Sequence, residues 1–462
     1  MPRKLPVLSD MVPGEGSLGR DGTRRSPYPA DLSGRFVRAR QIVWIVLLAI
    51  WLVLPWIQIG GHPAVFLDVA ERRFYLFGAT FNAQDAWLLF FCLTGMGFLL
   101  VVATALLGRV WCGWACPQTV FLEALFRPIE RFINGARNVA LRRKEHGPES
   151  ERVWRAIATQ GANFIVALLV AHVFLAYFVS APRALTMMHA GPSAHPEAFV
   201  WLVAMTVLLY GNFAFFREQL CVVICPYGRL QSVLLDDDSL VVGYDEKRGE
   251  PRTRGKKQAE GAGDCVDCLR CVVVCPTAID IRQGLQLDCI ACTACIDACD
   301  DVMDKLGRPR GLVRYDSLRG LRGEKRRILR PRLFIYAILS VVGVTAAIFA
   351  FRGRTSFEAN ILRLPEAPYS VRDGNVYNGF RLHLVNKEGR RQSFVIHPPV
   401  MEGFTFVMPV KEIELDPLAG RFVPFFVSAD EKAFSGDKPF VLHITSDGKE
   451  RDVRAVFLGP HR

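Results

Sequence analysis

Hydrophobic and polar positions follow two different rhythms along this chain. Five windows of about 20 residues are nearly free of charge, roughly residues 41–59, 87–107, 164–180, 199–216 and 333–351. Each is long enough to cross about 30 Å of hydrocarbon as a helix, so five transmembrane helices are predicted. Beyond residue 355 the rhythm changes to short alternating runs: "NVYNGFRLHLVN", "RQSFVIHP", "FTFVMPV", "RFVPFFVS" and "PFVLHITS". Turn signals separate them, at Lys387-Glu388-Gly389, Asp416-Pro417 and Asp447-Gly448. About seven short strands between residues 356 and 462 predict a β-sandwich of immunoglobulin-like type, though without the Cys and Trp hallmarks of antibody domains.

Composition agrees with a multi-domain membrane protein. The chain has 462 residues, is 51% hydrophobic and has a mean hydropathy of +0.20, too apolar for an ordinary soluble enzyme. Lys and Arg are distributed unevenly between the windows. Residues 1–40 hold eight, 108–160 nine and 217–332 twenty-one, against three in residues 60–85 and 181–196 together. Positive residues resist translocation, so the N-terminus and both long basic loops are expected in the cytoplasm, with residues 356–462 across the membrane. The net charge of +12 therefore reads as topology and contact with anionic lipid rather than nucleic-acid binding. Residues 1–40 read as a disordered basic tail without a signal peptide. Its "GEGSLG", Gly14 to Gly19, matches a dinucleotide fingerprint in letters only, because no strand precedes it and no helix period follows.

All thirteen cysteines lie between Cys92 and Cys299, in or beside the cytoplasmic side, where clustered thiols point to metal rather than disulfides. "RVWCGWACPQTVFLEAL" and "REQLCVVICPYGRLQSVL" each carry C-x3-C-P just past an even-numbered window, at a constant offset of 109 residues. The repeat predicts a duplicated helical hairpin over residues 41–216, the second motif following at 221–226. Residues 217–332 form a cytoplasmic region, with a ferredoxin-like insert at about 264–304 between charged linkers read as flexible. Residues 333–351 form the fifth helix.

In that insert, Cys265, Cys268, Cys271 and Cys275-Pro276 follow the bacterial C-x2-C-x2-C-x3-C-P run, repeated by Cys289, Cys292, Cys295 and Cys299. Three closely spaced thiolates wrap one face of a cubane, while the fourth cysteine of each run reaches the other cluster. The predicted ligand sets of two 4Fe-4S clusters are therefore Cys265, Cys268, Cys271 and Cys299, and Cys289, Cys292, Cys295 and Cys275. A zinc knuckle needs only four thiolates and leaves the interleaved pattern unexplained.

If Cys112 and Cys116 share one helix, their i, i+4 spacing puts both sulphurs on one face, with a break at Pro117; Cys221, Cys225 and Pro226 repeat this. Four soft sulphurs brought together would suit Cu(I) or a further iron-sulphur centre, against the plainer reading of small residues packing at helix ends. Cys92, inside the second window, reads as packing. Haem is disfavoured because only His172 lies in a window. Met187, Met188, His189 and His195 are candidate copper ligands in an outer loop. Asp236 to Ser239, "DDDS", reads as a solvated acidic turn.

Taken together, "CGWACP" and "CVVICPYG", the eight-cysteine segment ending "CIACTACIDACDDVMDK", a fifth span and a β-rich outer domain resemble the cytochrome c oxidase accessory protein family (CcoG/FixG/RdxA type). These are membrane-bound polyferredoxins, and the resemblance runs from about residue 35 to the end. It implies reduction of Cu(II) to Cu(I) during assembly of a cbb-type oxidase, in the bacterial inner membrane. The implied partners are oxidase subunits or copper chaperones and a cytoplasmic electron donor; a homo-oligomer is compatible with the sequence. Ligand softness places the copper chemistry at Cys112, Cys116, Cys221 and Cys225. The sequence leaves two alternatives open: a quinol-linked electron conduit to a reductase, and a non-catalytic assembly scaffold.

Overall fold

A computed structural model describes residues 27–82, 85–253, 260–353, 355–365, 367–431 and 436–460. The fingerprint-like Gly14 to Gly19 lies outside them. Among the described residues five helices are long and apolar enough to cross a membrane: Arg35–Val53, Trp87–Leu107, Glu149–Val179, Pro196–Phe216 and Pro331–Arg352. The first begins and ends earlier than its apolar window. Residues 35–40, assigned above to a disordered tail, are helical, and Arg40 is buried. The apolar run continues to Ile59, but Pro55 has no N–H to donate and ends the helix, so Gln58–Ile59 pairs with His62–Pro63 as a hairpin. The third helix begins at Glu149, extending the span by about four polar turns. Strands Val65–Asp68, Arg73–Leu76 and Ala79–Asn82 form a meander too short for its alternation to be read from sequence.

The chain divides into two compact units, residues 1–66 with 92–345, and residues 67–91 with 346–462. In the second, two antiparallel sheets form the sandwich. One runs in the order Phe404–Val407, Gly420–Asp430, Asn375–Asn386, Phe357–Arg363, with Ser370–Arg372 also on Asn375–Asn386. The other runs Glu412–Leu415, Gln392–His397, Lys438–Ser446, Lys449–Phe457. Period-two alternation sends Phe357, Phe380, Phe394, Phe425, Phe440 and Phe457 inward, all at most 3% exposed, into one core. Within this unit the Lys387 ammonium is buried against the carboxylates of Asp85 at 2.9 Å and Glu358 at 3.3 Å.

In the first unit the two hairpins meet through aromatics: Phe126 stacks on Phe213 at 4.7 Å, and Trp51, Phe121 and Phe174 close around them. Polar side chains fix the same contact. Gln118 and Asn212 exchange amide hydrogen bonds, and Arg217 grips Glu130 with two nitrogens at 2.9 and 3.0 Å. Arg127, 3% exposed, lies between Glu123 and Glu218.

The flanks of the ferredoxin insert are structured in their described parts. Val241–Tyr244 pairs antiparallel with Val313–Asp316, and Asp245 accepts from Arg314 at 2.6 Å. The expectation of flexible linkers fails in the second, residues 307–327, because Val313 is buried beneath the charges, and in the described part of the first, residues 245–264, where Arg248 pairs with Asp264 at 2.6 Å. Asp236 to Ser239 is likewise not a solvated turn. Asp238 is 7% exposed and Ser239 fully buried, and this turn accepts Arg326, Arg327 and Arg330 from the approach to the fifth helix.

Candidate iron-sulphur and membrane-edge cysteine sites

The ferredoxin segment folds its two cysteine runs around two separate cavities. Cys265, Cys268, Cys271 and Cys299 line one, with Leu312 and Val313. Cys275, Cys289, Cys292 and Cys295 line the other, which Cys271 also borders. The chain therefore interleaves the runs as the spacing predicts: the fourth cysteine of each joins the other run's cavity. Left-handed Leu269 and Thr293 start the helices Arg270–Val273 and Ala294–Lys305, turning the loops back over the cavities. Four sulphurs facing a cavity walled by Ile279, Ile281 and Val242 are a donor set for a cluster held by thiolates in an apolar shell. Burial pushes the Cys275 thiol up to about 12, helped by neighbouring Cys292, and Cys289 to about 11. A metal centre bound by these thiols would displace their protons.

At the membrane edge the two C-x3-C-P motifs are not continuous helices. Cys112 sits in the short helix Val110–Trp114, whereas Cys116 is extended (φ −61°, ψ 127°) and precedes the helix Pro117–Phe121. Cys221 lies in the π-helical turn Leu220–Ile224, and Cys225 is again extended (φ −65°, ψ 112°) before Pro226–Leu234. The expected i, i+4 face is thus replaced by a helix, a break and a new helix begun by proline, whose fixed φ suits that first position. The result is two thiols per motif, the second at a helix N-terminus. Amides of Thr119 and Gln118 favour the Cys116 thiolate, against the upward push of burial.

The two motifs come together. Burial lifts the Cys221 thiol to about 12, with the sulphurs of Cys116, Cys112 and Cys225 near enough to add to it. Cys112 rises to about 11, again chiefly through burial, while Gln231 donates to its sulphur at 3.1 Å. Gly228 keeps the second motif itself compact, since a Cβ there would stand 2.6 Å from the Cys221 carbonyl oxygen of the preceding turn.

This site also lies against the ferredoxin. A Cβ on Gly113 would meet Ile290 O at 2.6 Å and Ala291 O at 2.9 Å, so only glycine lets the first motif touch the 289–292 loop. Arg109 donates to Leu287 O and, at 3.1 Å, to Cys289 O. Trp114 donates to the Tyr315 hydroxyl (3.2 Å), which donates to Ala291 O (2.9 Å). The first span is fastened to the same segment: Asp297 accepts the amides of Phe36 and Val37 at its N-terminus, and Arg40 donates to Cys292 O. Gly113 and Trp114 stand inside a conspicuous motif, but nothing in the sequence marks Gln231, Tyr315 or Asp297.

Other candidates stay apart. Cys92 is exposed on the second span rather than packed. Met187 is buried in the helix Ala181–Ala190, and His195 lies near Glu197 at 3.8 Å. Among the described residues no three His, Cys, Asp or Glu side chains close around a single metal ion. The membrane-edge thiols therefore share a neighbourhood without forming a ready mononuclear shell.

Comparison with known proteins places these features in a family. Residues 216–318 match a 4Fe-4S dicluster domain, residues 88–139 a 4Fe-4S binding domain, and residues 347–460 the immunoglobulin-like fold at the C terminus of FixG. Protein RdxA of Cereibacter sphaeroides is 38% identical over 80% of this chain and 81% of its own. The nitrogen fixation protein FixG of Rhizobium meliloti is 37% identical over 79% and 77%, and protein RdxB of Cereibacter sphaeroides 35% over 81% and 82%. With five membrane-length helices and an eight-cysteine ferredoxin segment, the chain is a membrane-anchored iron-sulphur electron-transfer protein and belongs to the FixG/RdxA family.

Proposed function

We propose that the chain reduces Cu(II) to Cu(I) at the bacterial cytoplasmic membrane, in support of assembly of a cbb-type cytochrome c oxidase. One observation carries the reading: the four membrane-edge thiols gather beside the loop that carries Cys289 and Cys292. Cys265, Cys268, Cys271 and Cys299 would hold one 4Fe-4S cluster, and Cys275, Cys289, Cys292 and Cys295 the other. Bound there, the clusters supply one-electron transfer. The protein's own residues do the rest. Cys112, Cys116, Cys221 and Cys225 offer Cu(II) soft donors that favour the monovalent product, and each reduction consumes one electron. Gln231 steadies the Cys112 sulphur, while Arg109, Trp114 and Tyr315 fix the distance to the ferredoxin loop. The N-terminus and ferredoxin segment face the cytoplasm and its donor, by the distribution of Lys and Arg. Copper chaperones or oxidase subunits are the proposed partners of the sandwich on the other side.

The test is anaerobic. Full-length protein in detergent is reduced, and its visible absorption is followed as Cu(II) is added with a Cu(I)-specific chelator. Reoxidation with one Cu(I) formed per electron is expected, slowed roughly tenfold or more in Cys112→Ser/Cys225→Ser. Reoxidation by quinone alone would overturn the copper reading in favour of a conduit, and centres inert to both would leave a scaffold.

A second reading has its own support. The 4Fe-4S binding domain matched at residues 88–139 includes Cys112 and Cys116, so the four thiols are also a donor set for a third cluster. Iron analysis separates the two: about eight irons per chain fit two clusters, about twelve fit three.

A further inference from the structure

We infer that a basic cavity beside the third span binds a phosphate-bearing anion, whose natural source is the headgroup of an anionic membrane lipid. The cavity, about 560 Å³, lies between the helix Arg137–His146 and the polar start of Glu149–Val179, with Tyr28 on its wall. Arg143, Lys144, Arg152 and Arg155 line it against a single carboxylate, Glu151. That carboxylate is already engaged by Arg155 at 2.9 Å and Arg143 at 3.5 Å. Among the described residues no carboxylate pairs with Lys144 or Arg152, and the Arg152 guanidinium donates only to the Lys144 carbonyl at 3.4 Å, so both bring positive charge to the wall, an arrangement favoured by a bound anion.

Position and shape point to lipid as the source. The lining runs along the helix from Arg152, about 18 Å of rise before Phe164 where the apolar stretch begins, to Gln160, about 6 Å before it, so its inner end reaches headgroup depth and the arginines stand on its aqueous side. Ala140, Leu141 and Ala156 supply an apolar wall beside the cations, as an amphipathic ligand needs. Trp154, 62% exposed, and Ile157, 65% exposed, stand on the same helix turns and add open apolar surface beside the cations. The volume falls in the range of organic ligand pockets and exceeds what a lone phosphate fills. None of this rests on the copper reading.

The experiment uses full-length protein purified in mild detergent, offered phosphatidylglycerol or phosphatidylcholine, with retained lipid counted by native mass spectrometry. Wild type is expected to retain phosphatidylglycerol preferentially, and Lys144→Glu/Arg152→Glu to retain roughly tenfold less. Arg142→Glu, a single charge reversal outside the lining, is the control and should match wild type. Equal retention by the double variant, or an equal loss in Arg142→Glu, overturns the site. Displacement of the lipid by excess inorganic phosphate keeps a phosphate site but overturns the lipid as its occupant. Iron-sulphur absorption reports folding. If the double variant loses it, Lys144→Gln alone replaces it: a severalfold drop in retention supports the site, and an unchanged count overturns it.

Discussion

The protein gathers cysteines in two places by two different means. In the ferredoxin segment, eight thiols within residues 265–299 are positioned by tight loops and two helices of their own. At the membrane edge, four thiols come from motifs 109 residues apart, and meet only because two helical hairpins pack. Stacked Phe126 and Phe213, the Gln118–Asn212 pair and the Arg217–Glu130 bridge do the work that sequence neighbours do in the ferredoxin. A local constellation survives as long as its loop folds, whereas a distributed one inherits every weakness of the interface that builds it.

The sharpest way to separate the two is to remove ligands from each. Cys265→Ser/Cys289→Ser takes one predicted ligand from each ferredoxin cavity. Visible iron-sulphur absorption should disappear and Cu(II) reduction fall roughly a hundredfold or more. Cys112→Ser/Cys221→Ser should keep the absorption of two clusters while losing most of the copper chemistry. Iron and Cu(I) assays on the same preparations check both. If the membrane-edge variant also lost all iron, the two sites would be one folding unit and the contrast would collapse.

Next in size is the bridge that joins the hairpins. Arg217 is 12% and Glu130 8% exposed, and Asn163 adds a hydrogen bond to the same carboxylate at 3.2 Å. Glu130→Gln takes the bidentate counter-charge from a largely buried guanidinium and leaves it only Glu218 at 3.9 Å; breaking a fully buried pair costs about 3–5 kcal/mol, which sets the upper bound. The expected result is a lower thermal midpoint and faster alkylation of Cys112 and Cys221, with ferredoxin absorption unchanged at low temperature. Unchanged alkylation would mean that aromatic packing alone holds the motifs together.

The same division explains what the sequence made legible. The interleaved ferredoxin cavities follow from spacing, and the sandwich strand Asn375–Asn386 coincides with its alternating run, because both signals are carried by neighbouring residues. Helix existence was legible for the same reason, but helix ends were not: Pro55 stopped an apolar run, and Glu149 began a helix whose first turns are polar. At the membrane edge the repeat was readable, yet the shape of each motif was not. The prolines announced a break after the second cysteine, while the chain had already left the helix at it. Buried docking of Asp238 and the strand pairing of supposed linkers depend on distant partners, so polarity alone misread them as solvated.

A smaller perturbation probes the contact between the two sites. In Gly113→Ala the new methyl would fall 2.6 Å from Ile290 O, so the ferredoxin loop or the first motif must shift. Overpacking of this kind costs about 1–3 kcal/mol. Both sets of cysteines remain, so iron content should stay at the wild-type level while the rate of Cu(II) reduction falls severalfold. A normal rate would show that close approach of the loops is not what couples them.

The smallest effect concerns the base of the ferredoxin and is set by pH. Burial raises the Asp245 carboxyl, but hydrogen bonds from Arg314 (2.6 Å) and the Arg248 amide (3.1 Å) outweigh it and hold the group below the usual carboxylate range. A carboxyl depressed in the folded state contributes stability above its unfolded value, and that contribution is lost as pH falls through the folded value. At pH 7 Asp245→Asn should therefore loosen the strands Val241–Tyr244 and Val313–Asp316 by about 1 kcal/mol, seen as faster amide hydrogen exchange. As pH falls below about 4 the wild type begins to give up the same stabilisation, and the two proteins should converge only below the depressed folded value. The alkylation rate of Cys221 should not change with the substitution at either pH, since its surroundings are built by the hairpins. A gap that persisted at low pH would assign the effect to lost packing rather than charge, and a change at Cys221 would tie the distributed site to the local one.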